Sequence, residues 1–203
     1  MANWASVSAG NTHTVAVTTN GQLWAWGNTV NGQLGCGHDG GIRTSPFRIG
    51  TATNWASVSA GSAHTVAVRT DGTLWAWGSR ADGRTGLGTP VTGNTFIPTQ
   101  VGTATNWATV SAGVNHTVAV RMDATLWAWG NNASGQLGDG TITQHTSPVQ
   151  IGTATDWALV SVGASYTVSV REDGVWAWGL NTNGQLGDNS TTTRSSPVAV
   201  AIP

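Results

Sequence analysis

The chain contains no lysine. In 203 residues it has one glutamate (Glu172), one cysteine, one tyrosine and two phenylalanines. Eight arginines face nine acidic residues for a net charge of −1, and charged residues make up 8% of the chain, against roughly 25% in ordinary globular domains. Each shortage excludes something. Without a basic excess there is no electrostatic footprint for nucleic acid. Cys36 has no second cysteine to pair with, so no internal disulfide forms and the compartment stays open. No run of about 18 apolar residues occurs, so no membrane-spanning helix is expected. The N-terminus lacks the charged-then-apolar pattern of a secretion signal.

What the chain has instead is tryptophan, twelve of them, and 28 glycines. They recur with a period. Trp4, Trp55, Trp107 and Trp157 open four units spaced 51, 52 and 50 residues apart. Nine residues on stand His13, His64, His116 and Tyr166, each with a glycine three residues before it (Gly10, Gly61, Gly113, Gly163). Next come the pairs Trp24/Trp26, Trp75/Trp77, Trp127/Trp129 and Trp176/Trp178, set in Leu-Trp-Ala-Trp-Gly or, once, Val-Trp-Ala-Trp-Gly. Gly-Gln-Leu-Gly follows at 32–35, 135–138 and 184–187, with Gly83-Arg84-Thr85-Gly86 in the second unit. Pro46, Pro98, Pro148 and Pro197 stand near the unit ends. Approximate units are 1–50, 51–102, 103–152 and 153–203, read together as one domain.

Within a unit the apolar period is two, the mark of strands. Val15 and Val17 share a face with His13, and Trp24 and Trp26 oppose Leu23 and Ala25. One face of each sheet is bulky and the other small, so stacked sheets can interdigitate. Trp4–Ala9, residues 13–18, residues 23–27 and Ser45–Ile49 give four strands, with the last, which carries Pro46 near its start, at an edge. The fold expected is all-β, a β-propeller of four-stranded antiparallel blades, four per chain. Thr19-Asn20-Gly21 is a hairpin turn signal. Asp123-Ala124 replaces the usual Asp-Gly, which predicts either a different turn or a cost of roughly 1 kcal/mol. The fourth unit is one residue shorter between Tyr166 and Trp176 and needs a tighter hairpin.

The combination W-x-x-V-x-x-G-x-x-H-T-V-A-V, D-G-x-L-W-A-W-G and N-G-Q-L-G resembles the regulator of chromosome condensation repeat along the whole chain. That resemblance implies a propeller, commonly seven-bladed, and protein binding through loops at one rim. Members of the family include an exchange factor for a small nuclear GTPase, a plant ultraviolet-B receptor and a bacterial β-lactamase inhibitor. The exchange role relies on an inserted wedge and basic contacts, which the uniform, lysine-free units do not offer. The light-sensing role relies on Gly-Trp-Arg-His-Thr, where this chain has Gly10-Asn11-Thr12-His13-Thr14.

Four units leave a ring incomplete. A seven-bladed ring turns about 51° per blade and an eight-bladed one about 45°, whereas four blades alone would need about 90°. The chain could close alone with splayed blades, be cut from a longer protein, or pair with a second copy. The expectation is a homodimer completing an eight-bladed ring, since an open ring exposes apolar blade faces. The termini suit that closure, because the end of the fourth unit aligns with the stretch that elsewhere leads into the next opening Trp.

Candidate site residues follow. His13, His64 and His116 could ring a channel, but equivalent positions on separate blades stand apart, so they are expected to lock blades by hydrogen bonds and no metal or cofactor is expected. Asp139-Gly140-Thr141 and Asp188-Asn189-Ser190 fit turn chemistry better than calcium loops, which need a terminal glutamate. No Gly-x-Ser-x-Gly elbow follows a strand, and no enzyme activity is expected. The irregular second unit offers Arg80, Asp82 and Arg84, together with Phe96 and Ile97, as a partner-binding patch. The variable loops 36–44, 87–97, 139–147 and 188–196 are the other binding candidates. The reading is a non-enzymatic scaffold for protein–protein interaction and self-assembly. Alternatives are a purely architectural fragment or engineered propeller with no ligand, or a glycan or small-molecule binder that would need a solvent-facing Trp among the pairs.

Overall fold

A computed structural model describes residues 3–201. Sixteen strands form four antiparallel sheets of four, each ordered by sequence as a meander. Blade 1 holds β1 (Trp4–Ala9), β2 (His13–Thr18), β3 (Leu23–Asn28) and β4 (Ile42–Arg48). Blade 2 holds β5 (Trp55–Ala60), β6 (His64–Arg69), β7 (Leu74–Ser79) and β8 (Asn94–Gln100). Blade 3 holds β9 (Trp107–Ala112), β10 (His116–Arg121), β11 (Leu126–Gly130) and β12 (His145–Gln150). Blade 4 holds β13 (Trp157–Val162), β14 (Tyr166–Arg171), β15 (Gly174–Gly179) and β16 (Arg194–Ala199).

The fourth strand of blade 1 begins three residues before the expected Ser45. In β4 the register slips between Ala25↔Phe47 and Gly27↔Arg43, and Pro46 falls inside that irregularity. Pro46 lacks an N–H, so the outermost strand accommodates it where the ladder is already interrupted. The strand therefore extends past the proline instead of starting at it.

The hairpins between second and third strands follow local chemistry. In blades 1 to 3 a three-residue loop ends on a left-handed residue: Gly21 (φ 73°), Gly72 (φ 74°) and Ala124 (φ 56°). Ala124 keeps the shared turn, with its N–H donating to the Arg121 carbonyl at 2.9 Å. In blade 4 Arg171 pairs directly with Gly174, so Glu172-Asp173 alone close the tighter hairpin.

Blade packing follows from the two unlike sheet faces. Val15, Val17, Leu23 and Ala25 of blade 1 form one cluster with Trp55, Ala67 and Trp77 of blade 2. The same layer recurs between blades 2 and 3, around Trp107 and Trp129, and between blades 3 and 4, around Trp157 and Trp178. The valine face of each blade receives the tryptophan face of the next, and the small Ala25, Ala76 and Ala128 leave room for the indoles. Ala9-Gly10-Asn11 and their counterparts in all four blades line a cavity of about 520 Å³ at the axis. The first strands are thus innermost and the fourth outermost.

Candidate functional site

Each joint between blades repeats one set of hydrogen bonds. His13 Nε2 lies 2.9 Å from Thr65 Oγ1, and Thr65 Oγ1 donates to the Gln33 carbonyl at 2.7 Å. That carbonyl also accepts Trp77 Nε1–H at 2.9 Å. At the second joint the parts are His64, Thr117, the Arg84 carbonyl and Trp129. At the third they are His116, Thr167, the Gln136 carbonyl and Trp178. The Thr proton is spent on the carbonyl, so the network assigns the Nε2–H tautomer to each imidazole. Burial holds His13 down at about 4, His116 at about 3 and His64 well below the ordinary value, because charging an imidazole there would strip its hydration.

The Gly-x-x-His spacing has a steric cause. A Cβ on Gly10 would strike both the His13 ring and the Gly61 carbonyl, and Gly61 is hemmed in the same way by His64 and Gly113. The glycine makes room for the ring and for the next blade at once. The Gly-Gln-Leu-Gly loop is equally constrained: a Cβ on Gly35 would lie 2.9 Å from Trp77 Nε1.

The histidines are therefore neutral joint residues. Among the described residues no group of three His, Cys, Asp or Glu is arranged to hold a metal. The eight paired tryptophans are buried or half-buried. Each opening Trp meets both members of its pair edge-on, as Trp107 does with Trp127 and Trp129 at 5.9 and 6.0 Å.

The five residues expected to meet a partner do not form one patch, though Asp82 and Arg84 are brought together as an ion pair. Arg84 is 7% exposed, with its guanidinium bonded to the Ala81 and Val114 carbonyls and paired with Asp82 at 2.7 Å. It staples blade 2 to blade 3 and is not at the surface where the sequence reading put it. A long side chain on a solvated-looking loop turned inward because the neighbouring blade offered it carbonyls. Arg80 is half-buried, with the Leu87 and Gly88 carbonyls within its reach. Phe96 and Ile97 lie on the other side of blade 2, beneath the loop of blade 1, where the Phe96 carbonyl accepts Gly37 N–H at 2.8 Å. Of the five, only Ile97 is strongly exposed, at 57%.

Two features escaped sequence reasoning. Arg69 lies over Trp55 and Trp75 at 4.4 and 3.7 Å, and Arg121 over Trp107 and Trp127 at 4.4 and 3.6 Å. The signal was an arginine closing the second strand of three units. Asn132 and Asn181 knot the loops that follow, each Nδ2 reaching Asp139 or Asp188 at 3.0 and 2.9 Å. The shared spacing from Asn to Asp was the available clue. Asp188 also accepts from the Ser190 hydroxyl and holds Arg194, and these hydrogen bonds, the Ser190 one first, bring its carboxyl down to about 2.

Among the described residues, the two outer faces of the stack have no neighbour. Trp4 is 47% exposed, whereas Trp55, Trp107 and Trp157 are 3%, 2% and 4% exposed. Val7 beside it is 66% exposed. At the far end Val170 is 38% exposed, whereas Val17, Val68 and Val120 are buried. Residues 3–201 thus form an open arc with a bare tryptophan face at blade 1 and a bare valine face at blade 4.

Known proteins share both sequence and shape with this arc. It is 36% identical over 139 residues to the human probable E3 ubiquitin-protein ligase HERC6, covering 65% of this chain and 13% of that protein. It is 33% identical over 143 residues to the Arabidopsis thaliana ultraviolet-B receptor UVR8, covering 68% of this chain and 32% of that one. Among solved structures, human WBSCR16 superimposes over 98% of this chain and 53% of its own at a TM-score of 0.88 and 22% identity. Prp20p of Saccharomyces cerevisiae, whose structure was reported with its binding to Gsp1p and histones, covers 99% and 51% at 0.88 and 19%. The chain thus spans well under two thirds of every one of these relatives. Family patterns described as Regulator of chromosome condensation (RCC1) repeat match residues 20–68, 71–120, 123–170 and 172–203, and in a second version 4–33, 55–84, 107–136 and 157–185. With its His–Thr–carbonyl–Trp joints repeated in register with those matches, the chain belongs to the RCC1 repeat family.

Proposed function

We propose that this chain is a non-enzymatic scaffold for protein–protein interaction whose first partner is a second copy of itself, two arcs closing an eight-bladed ring. The observation that carries the reading is the pair of bare faces at blades 1 and 4. Each is half of a joint that the molecule builds three times internally, and leaving both wet costs the burial of several large side chains, about 1.5–3 kcal/mol each. The arc also superimposes along nearly its whole length on about half of each of two solved structures, so a second arc of the same size would match what is left. In that ring the four units act as one domain, and the rim loops, including the exposed Ile97 and the reachable Arg80, remain for other proteins. The histidines are committed to blade joints, which favours binding over chemistry. Light scattering coupled to gel filtration tests the assembly. The expected mass is twice the 20.8 kDa of the chain, and a species at the mass of one chain would sink it.

A further inference from the structure

The bare faces carry more than apolar surface. Beyond its side-chain relay, each internal joint has a backbone bond between blades: Gly37, Gly88 and Gly140 donate N–H to the carbonyls of Phe96, Thr146 and Ser195 at 2.8–2.9 Å. All three glycines are left-handed. In blade 4 that position is Asn189, which holds the same left-handed backbone at φ 59° although it is not glycine. Its N–H points at no neighbouring blade, and in blade 1 the carbonyl position corresponding to Phe96 belongs to the exposed Thr44. The relay is split in the same way. The Gln185 carbonyl of blade 4 corresponds to those of Gln33, Arg84 and Gln136, while Thr14 Oγ1 and Trp26 Nε1 of blade 1 correspond to Thr65 and Trp77. Among the described residues none of these three is bonded across a joint.

The loop glycines match this pattern. A Cβ on Gly32, Gly83 or Gly135 would collide with the outer strand of the following blade, and one on Gly35, Gly86 or Gly138 with its indole. A Cβ on Gly184 would meet only the Ser190 carbonyl of its own loop, at 3.9 Å, and one on Gly187 only Val200, at 3.3 Å. This empty cradle, with Asn189, Ser190 and Thr191, bounds a cavity of about 500 Å³. Blade 4 therefore presents the full receiving half of a joint, and blade 1 the full entering half.

Resting on the self-assembly reading, we infer that two copies pair head to tail through unlike faces. Blade 4 of each copy takes blade 1 of the other in the register of the internal joints. Asn189 N–H meets the partner's Thr44 carbonyl, and the Gln185 carbonyl accepts the partner's Thr14 hydroxyl and Trp26 indole N–H. The two seams are related by a twofold axis along the channel, so the assembly closes at two chains and does not grow into a filament. The seam departs from the internal joints where Asn189 stands for glycine, where Val175 stands for the leucine of the other blades, and at the histidine slot. Tyr166 fills the histidine slot, its ring lying against Gly163 as His13 lies against Gly10, so its hydroxyl takes the place of the imidazole beside the partner's Thr14.

Two single-face variants test the pairing. Val170→Arg blocks the blade 4 face and Val7→Arg the blade 1 face; both residues are exposed, and unchanged circular dichroism confirms that each variant folds. Head-to-tail pairing predicts that each variant alone loses the dimer. An equimolar mixture then forms a one-to-one heterodimer through the single intact seam, at the highest concentration the wild type tolerates. A dimeric wild type in which only one variant disrupts pairing, or a mixture that stays monomeric, overturns the pairing of unlike faces while self-assembly stands. A monomeric wild type overturns both.

Discussion

Replacing Ala124 with glycine should stabilise the protein, against the usual direction for an Ala→Gly change. Ala124 sits at φ 56°, where an L-residue with a Cβ pays about 1–2 kcal/mol. At the equivalent Gly21 and Gly72 an added Cβ would strike the Thr53 and Thr105 carbonyls, the backbone leading into the next blade. Ala124 carries that methyl, and its carbonyl still accepts Trp157 N–H at 3.1 Å. The turn and the blade entry are thus retained under strain. Glycine also gains freedom in the unfolded chain, which offsets about 0.4–1 kcal/mol. The net expectation for Ala124→Gly is a gain of about 0.5–1 kcal/mol, seen as a rise of roughly 1–4 °C in Tm. Urea unfolding followed by tryptophan fluorescence should show a higher midpoint at unchanged slope. The reverse change, Gly72→Ala, should cost at least as much as Ala124→Gly gains. A midpoint for Ala124→Gly at or below wild type would refute the account, because it would mean the left-handed alanine is not strained.

The joint histidines make stability depend on pH. Their folded pKa values lie below the ordinary 6.5, at about 4 for His13 and about 3 for His116, so below pH 6.5 the unfolded chain binds protons that the folded one refuses. Stability is therefore full above about pH 6.5 and falls as pH drops towards 4, by up to about 1.4 kcal/mol per pH unit for each histidine; urea midpoints at pH 7.5 and 5 measure it, and equal midpoints would contradict it. Trp129→Ala, at a site with no exposure, should cost about 3–5 kcal/mol. Trp4→Ala, at a ring that is 47% exposed yet edge-on to Trp24 and Trp26, should cost a single arc less than Trp129→Ala does and should also weaken the proposed self-association; calorimetry on dilute and concentrated samples separates the two effects.

The blades were legible because each is a local object. Period-two alternation, Gly at the hairpins and the recurring Trp-Ala-Trp mark β2, β3 and their partners without reference to the rest of the chain. The start of β4 was not legible, since the residues before Pro46 pair only by virtue of a register slip against Gly27. Arg84 was misplaced for a related reason: in a list of residues it resembles a surface charge, and only the neighbouring blade supplies the carbonyls that turn it inward.

By itself the sequence determined the blade, its two unlike faces and the number of blades, because those follow from nearest-neighbour chemistry repeated every fifty-odd residues. Only the tertiary structure decided that the histidine of one blade, the threonine and tryptophan of the next, and a loop carbonyl between them form a single joint. Those partners lie 31 to 53 residues apart, beyond any local pattern. The structure also showed that, among the described residues, one half-joint is left unfilled at blade 1 and one at blade 4, which is a property of how blades stack and not of any one of them.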